Sequence, residues 1–279
     1  MITRRSGRAP TGAVSAAAKS PVPEPPGKGS KEGGLARIQR TRRLRVSGPA
    51  GEDLFLIKNA KGGEWSGFCA EMGRDLAKQL EVEPEFFASG EANAAADLQA
   101  NKFDIFIGLA PTVRRAVSVD FSSPLFHDTF VILARADFKP SSWMALNVPE
   151  TRMALDNDSP AEAIARRFAA NATITGFKSR DECLGALKSA RSDCYVTTLF
   201  PALLALKGDA QLGRLVVPTP AVQSPLSAAL QYDDDHRLHE IVDAWGADVG
   251  SSGQMREWIL AALEAAGIAA STLPPELSF

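Results

Sequence analysis

The chain has 279 residues, 45% of them hydrophobic and 23% charged, with a net charge of −2; this is an ordinary globular composition, long enough for one large domain or two lobes of roughly 100 residues each. No run approaches the ~18 apolar residues that a membrane span needs. Residues 1–45 hold 11 Lys or Arg and 2 Asp or Glu, the remainder 20 and 31, and so acidic a body argues against nucleic acid as the partner.

Residues 1–34 are rich in Pro, Gly, Ser, Ala and basic side chains and lack apolar periodicity, which predicts a disordered tail. No apolar core of about 7–15 residues follows Arg4-Arg5, so this stretch does not read as a secretory signal. A replaced export signal, a misplaced start, a cytosolic chain and a basic nucleic-acid arm stay open as explanations.

Strands and helices then alternate. Val46 sits in a first strand. Phe68, Met72, Leu76 and Leu80 recur every four residues, one stripe of an amphipathic helix. Val82 to Phe87 reads as a strand and Ala94, Ala95 and Leu98 as a short helix face. Phe103 to Ile107 reads as a buried parallel strand, which implies a mostly parallel sheet with right-handed crossovers. It empties into Gly108, a hydroxyl at Thr112 and Arg114-Arg115, a pattern suited to a small anion, because Arg clamps a carboxylate bidentately. Asp120-Phe121-Ser122-Ser123-Pro124 ends this segment, and Phe130 to Leu133 starts another strand.

A second α/β set begins near Arg152, with a short strand over Met153 to Leu155. Pro160 suits the first turn of a helix faced by Ala161, Ile164, Ala165 and Phe168. Thr173 to Phe177 is a strand, and Ser179 with Glu182 makes a capping box. Cys194 to Thr197, Leu215 to Val217 and Leu226 to Leu230 are further strands. Leu238, Ile241, Val242 and Trp245 mark one closing helix, and Met255, Trp258, Ile259 and Leu263 another; 270–279 reads as a tail. Cys69, Cys183 and Cys194, an odd number, read as packed thiols. His236 and His239 lack a third ligand nearby, so neither a metal site nor a cofactor is expected.

Several motifs together resemble the extracellular solute-binding proteins of family 3, the receptors of ABC importers for polar amino acids. Leu35-Ala36-Arg37-Ile38 and Leu44-Arg45-Val46 resemble the lead-in to the first strand. Trp65-Ser66-Gly67-Phe68-Cys69-Ala70-Glu71-Met72 resembles the opening of the first helix, and Leu98 to Asp104 the approach to the third strand. Gly108 to Arg115 followed by Val119 to Pro124 is similar to the family signature. The resemblance covers about residues 36 to 268. It implies an α/β, two-lobed periplasmic-binding-protein type II fold, each lobe a mixed sheet flanked by helices, joined by a two-strand hinge. Residues 35–134 and 225–279 then form lobe 1 and 135–224 lobe 2, with crossings near 133–137 and 218–225, and the ligand site lies between them.

The resemblance places a ligand carboxylate on Arg115, five residues before Asp120; pairing of Arg115 with a surface acid such as Asp120 is the alternative. Thr112 could touch ligand or cap a helix turn. Gly108 would let a ligand approach the backbone or simply end a strand. Phe55 falls where the family stacks an aromatic on the ligand, and could equally be core, as could Phe87. Asp158 and Ser159 precede a helix N-terminus suited to a second hold on a carboxylate, or act as plain N-caps. The family's acids that hold an ammonium fall at Pro49 and Thr198, and a customary hydroxyl falls at Ala110. Pro160, lacking an N–H, stands where a donor is expected. Glu52 or Asp53 could substitute through a shifted loop. Without them a desolvated ammonium would lack a counter-ion, so the expected ligand is a small carboxylate rather than a standard α-amino acid.

The leading function is a monomeric, periplasmic, non-enzymatic receptor for a small-molecule ligand, delivering it to an ABC permease; the localisation is implied by the resemblance alone. A ligand sensor or scaffold with a degenerate site is the alternative. A dehydratase on this fold is disfavoured, because the place for its acid reads Thr197-Thr198, and His127-Asp128 and Asp193-Cys194 are expected before strands, away from the cleft.

Overall fold

The computed structural model describes residues 32–50, 54–59, 63–157 and 159–273. The tail expected over residues 1–34 lies almost wholly outside them, as do Glu52, Asp53, Asp158 and residues 274–279.

In chain order the first lobe comprises α1 (Gly34–Thr41), β1 (Arg43–Ser47), β2 (Ile57–Lys58), β3 (Trp65–Ser66), α2 (Phe68–Gln79), β4 (Glu83–Phe86), α3 (Ala94–Gln99), β5 (Ile105–Leu109), α4 (Val113–Ala116) and β6 (Val119–Phe121). The long strand β7 (Phe126–Ala134) leads into α5 (Trp143–Leu146), β8 (Arg152–Asp156), α6 (Pro160–Phe168), β9 (Thr173–Phe177), α7 (Arg180–Lys188), β10 (Cys194–Thr198), α8 (Leu199–Gly208) and β11 (Arg214–Val216). A second long strand, β12 (Gln223–Gln231), returns to α9 (Arg237–Ser251) and α10 (Gln254–Ala265).

The strands divide into two mixed halves. In lobe 1, β1 is parallel to β4 and β5, and β12 runs antiparallel to β5 and β6. In lobe 2, β8 is parallel to β9 and β10, and β7 runs antiparallel to β10 and β11. The halves are joined where Phe126–Thr129 of β7 pair with Gln223–Leu226 of β12. Each long strand thus serves both lobes, the arrangement of a two-strand hinge.

The buried pattern follows the pleat as far as Ile107, and an irregularity opposite Ser227 and Ala228 puts Leu109 on the other face. All five residues of β5 are buried; Ile105 and Ile107 face one core, Phe106 and Leu109 the other. Helix α2 lays Phe68, Met72 and Leu76 against the first of these. In lobe 2, Met153, Leu155, Cys194 and Val196 form a separate core under α6. The three cysteines are buried free thiols.

Helices α1, α5 and α8 depart from the sequence reading: α1 covers the Leu35–Ile38 lead-in, and α5 and α8 fall where no element is expected. Helix α1 is held by a buried ionic knot. Asp104, almost fully buried, receives Arg37 of α1, the Arg45 side chain (Nη2 to Oδ1, 2.8 Å) and the Arg45 backbone N–H (2.7 Å). Removing the carboxylate leaves two partly buried cations unpaired. Asp104→Ala is therefore expected to lower unfolding free energy by about 3–5 kcal/mol, read from the denaturant midpoint at pH 7 with the slope unchanged.

Candidate functional site

The site is built outward from the end of β5. Gly108 has φ +89, a backbone state that favours glycine, and a Cβ there would lie 3.5 Å from both the Phe55 and Phe126 rings. After Ala110 and Pro111 the chain turns into the one-turn helix α4. Thr112 caps it, its hydroxyl oxygen accepting the Arg115 N–H at 3.3 Å. The Arg115 guanidinium folds back, and Nη1 donates to the Ala110 carbonyl at 2.9 Å. Its other arm, Nη2, stands 3.7 Å from Glu91. The acid beside Arg115 is thus Glu91, while Asp120, on β6, faces His236 at 3.9 Å. Arg115 stays 24% exposed in its side chain, so it can meet a solute without burying an unpaired charge.

Phe55 is placed by α2. The first helical N–H groups of Phe68 and Cys69 donate to the carbonyls of Leu54 and Phe55 at 2.9 and 3.0 Å. Gly67 makes the approach possible, because a Cβ there would collide with those carbonyl oxygens. The Phe55 ring is 4% exposed. It packs on Phe68 (centroids 4.6 Å) and meets Phe200 of α8 at 5.4 Å and 83°. Phe126, in the hinge segment of β7, completes the group 5.3 Å from Phe68. Phe87 packs with the small core containing Leu98 and Phe103.

In lobe 2, Ser159 is the residue before α6 and Pro160 opens that helix. Ser159 does not cap it with its hydroxyl, which donates instead to the Asp156 carbonyl at 2.7 Å. Thr198 ends β10 and precedes α8 without a side-chain cap bond. The first N–H of α8, that of Leu199, donates instead to Asp128 Oδ1 at 3.0 Å. This corrects the placement of His127-Asp128: both lie within β7 at the hinge pairing, not before a strand away from the cleft.

The structure brings Phe55 and Gly108 together, and Ala110, Thr112 and Arg115 together. Among the described residues no hydrogen bond joins this second group to Ser159 or Thr198, and an aromatic contact between the lobes is that of Phe200 with Phe55 and Phe68. The sequence reading does not single out Phe200 or Asp156, and it misplaces Asp128. The Asp156 carboxylate, at the end of β8, accepts from the Tyr195 hydroxyl (2.6 Å) and the Cys183 thiol (3.5 Å). Burial pushes the Tyr195 hydroxyl and the Cys183 thiol up, and neighbouring Asp156 adds to both.

A cavity of about 70 Å³ lies apart from these groups, between the end of β12 and the start of α9, lined in part by Asp120, Asp233, Asp234, His236 and His239. Its carboxylates suit no anion. Among the described residues no three His, Cys, Asp or Glu form a group that could hold a metal. Burial raises the Asp120 carboxyl above its ordinary value, with His236 and His239 opposing. A folded-state pKa above the unfolded one means that the charged form is disfavoured by folding at neutral pH. Asp120→Asn is expected to raise Tm at pH 7. The gain should shrink as pH falls through the carboxylate range, where the parent Asp120 takes up its proton, as followed by thermal unfolding across pH.

Residues 50–259 match the family model described as bacterial extracellular solute-binding proteins, family 3. The ABC transporter glutamine-binding protein GlnH of Bacillus subtilis (strain 168) is 26% identical over 174 residues, which cover 61% of this chain and 63% of that protein. A glutamine-binding protein of Geobacillus stearothermophilus is 26% identical over 167 residues, 58% and 63% of the two chains. The chain thus spans a little under two thirds of the length of these curated relatives. Among solved structures, an ancestral cationic amino acid solute-binding protein, AncCDT-1, superposes with a TM-score of 0.65 at 29% identity, over 81% of this chain and 97% of its own. A second structure of AncCDT-1 is described as that of a precursor of cyclohexadienyl dehydratase. With the two-lobed fold, the Gly108–Arg115 turn and a match over most of its length, the chain belongs to the bacterial extracellular solute-binding proteins of family 3.

Proposed function

We propose that this protein is a solute receptor that closes on a small carboxylate held by Arg115 and delivers it, outside the cytoplasmic membrane, to an ABC-type permease. The observation that carries this reading is the state of Arg115. Its guanidinium is anchored by a backbone carbonyl at 2.9 Å, has among the described residues a loose acidic neighbour at 3.7 Å, and is positioned by a capped turn at the end of β5. An anion arriving there gains a pre-oriented fork rather than having to order one. Thr112, committed to the cap, serves the turn; Gly108 and Ala110 serve the approach. Ser159, and Asp158 beyond the described residues, are the lobe 2 side of the proposed site, with Thr198 at its edge.

The relatives whose names mention an amino acid bind a ligand with both an acid and an amine. By the family resemblance the positions for the amine's counter-ions carry Pro49 and Thr198 here, neither of which can bear a negative charge. That supports a ligand without an ammonium group, since burying one unpaired is costly. Likeness to a dehydratase precursor favours a second reading, an enzyme, but Thr197-Thr198 supply no carboxylic acid for general acid–base work.

Native mass spectrometry of the gently purified protein is expected to show a co-purified carboxylate without an amine, lost in Arg115→Ala. Removing the guanidinium should weaken binding by about 1.5–3 kcal/mol, roughly ten- to hundredfold in Kd. Tight binding of glutamine by titration calorimetry would overturn the ammonium-free ligand, and binding unaffected by Arg115→Ala would overturn the anchor.

A further inference from the structure

Phe200 stands in the first turn of α8, directly beyond the carboxyl end of β10 in lobe 2. Its ring is fully buried, yet two of its partners, Phe55 and Phe68, belong to lobe 1, with centroids at 5.4 and 5.6 Å. Leu199 and Leu203 of the same helix lie in one continuous apolar cluster with Phe55, Cys69 and Phe126. The helix start cannot turn away freely, because Asp128 of the hinge holds the Leu199 N–H.

We infer that Phe200 is an intramolecular occupant of the aromatic subsite, packing against Phe55 in place of a ligand and holding the lobes together without one. Separating the lobes would bring the nearly fully buried rings of Phe55, Phe68 and Phe200 into water, and the hydrophobic effect opposes that whether or not a solute is bound. A ligand shifts the balance between open and closed forms only by its differential interaction with the two. With the rings already paired, closure needs little from the ligand. The same ring excludes a bulky apolar ligand body from Phe55, which leaves the Arg115 end of the cleft for a small solute.

The test uses the full chain without ligand. Spin labels on Lys78→Cys in α2 and Ala163→Cys in α6, both exposed positions in different lobes, report the interlobe distance by pulsed dipolar spectroscopy; the native thiols are buried. The parent should give one narrow distance population, and Phe200→Ala a longer and broader one. Phe55→Leu approaches the same contact from the other lobe and should broaden the distribution in the same direction, with thermal unfolding showing that each variant remains folded. A parent already as long and broad as Phe200→Ala, or folded variants indistinguishable from a narrow parent, would overturn the inference. Because no ligand is present, either result leaves the receptor reading to its own test at Arg115.

Discussion

The short antiparallel pairing of Phe126–Thr129 with Gln223–Leu226 is the constraint on which the cleft depends. Beyond it β7 enters the lobe 2 sheet beside β10 and β11, while β12 enters the lobe 1 sheet beside β5 and β6. The same few residues therefore set the register of both lobes. They also carry side chains that reach across: Phe126 packs on Phe68 in lobe 1, and Asp128 holds the N-terminus of α8 in lobe 2. A buried carboxylate accepting a helix N–H is favoured by hydrogen bonding and by the helix dipole together. The hinge is consequently a structural anchor for the walls of the cleft as well as a point of rotation.

Around this pairing the cleft separates into a polar and an apolar part, each supplied locally. The polar part is a closed loop of interactions within six residues, in which Thr112 caps, Arg115 folds back and Ala110 accepts. Among the described residues no hydrogen bond from lobe 2 enters it, so its polar geometry is set within lobe 1. The apolar part has the opposite character. Phe55 and Phe68 are set by the Gly67 turn, and Phe200 arrives from the other lobe, so this part exists as a cluster only while the lobes are together. The signature Asp120 to Pro124 serves the frame rather than the ligand: the Ser122 hydroxyl accepts the Ala228 N–H at 3.0 Å, and Asp243 accepts the Ser123 N–H at 2.7 Å.

Much of this was legible because it is written in local patterns. The Phe68, Met72 and Leu76 stripe marked α2, and Pro160 marked the start of α6. Ser179 accepts the Glu182 N–H at 3.3 Å as the capping box required, although the Glu182 carboxylate returns to the N–H of Lys178 rather than to that of Ser179. What escaped notice lacks such a pattern. Helix α8 reads Leu-Phe-Pro-Ala-Leu-Leu-Ala-Leu, apolar on nearly every side with Pro201 in its first turn, so it offers no stripe. Helix α1 follows directly on a basic, Pro/Gly-rich stretch, and its purpose depends on Asp104, 67 residues from Arg37. Asp128 finds its partner 71 residues away, a distance that no window along the chain spans.

The missed residues bear on function in one direction. A receptor for free amino acids must balance an ammonium as well as a carboxylate, and water-excluded charge is tolerated only with a counter-charge in contact. At the position after β10 this chain carries Thr198, followed two residues later by a buried phenylalanine. Acid at that place would sit at the edge of the Phe55–Phe68–Phe200 cluster and would need a cation to be stable there. Thr198 needs none. An uncharged Thr198 and a buried Phe200 are thus mutually consistent: on the proposed reading an apolar junction has no need of the ion pair that an amino acid would bring, and Arg115, on its own turn, is the remaining polar group offered to a ligand.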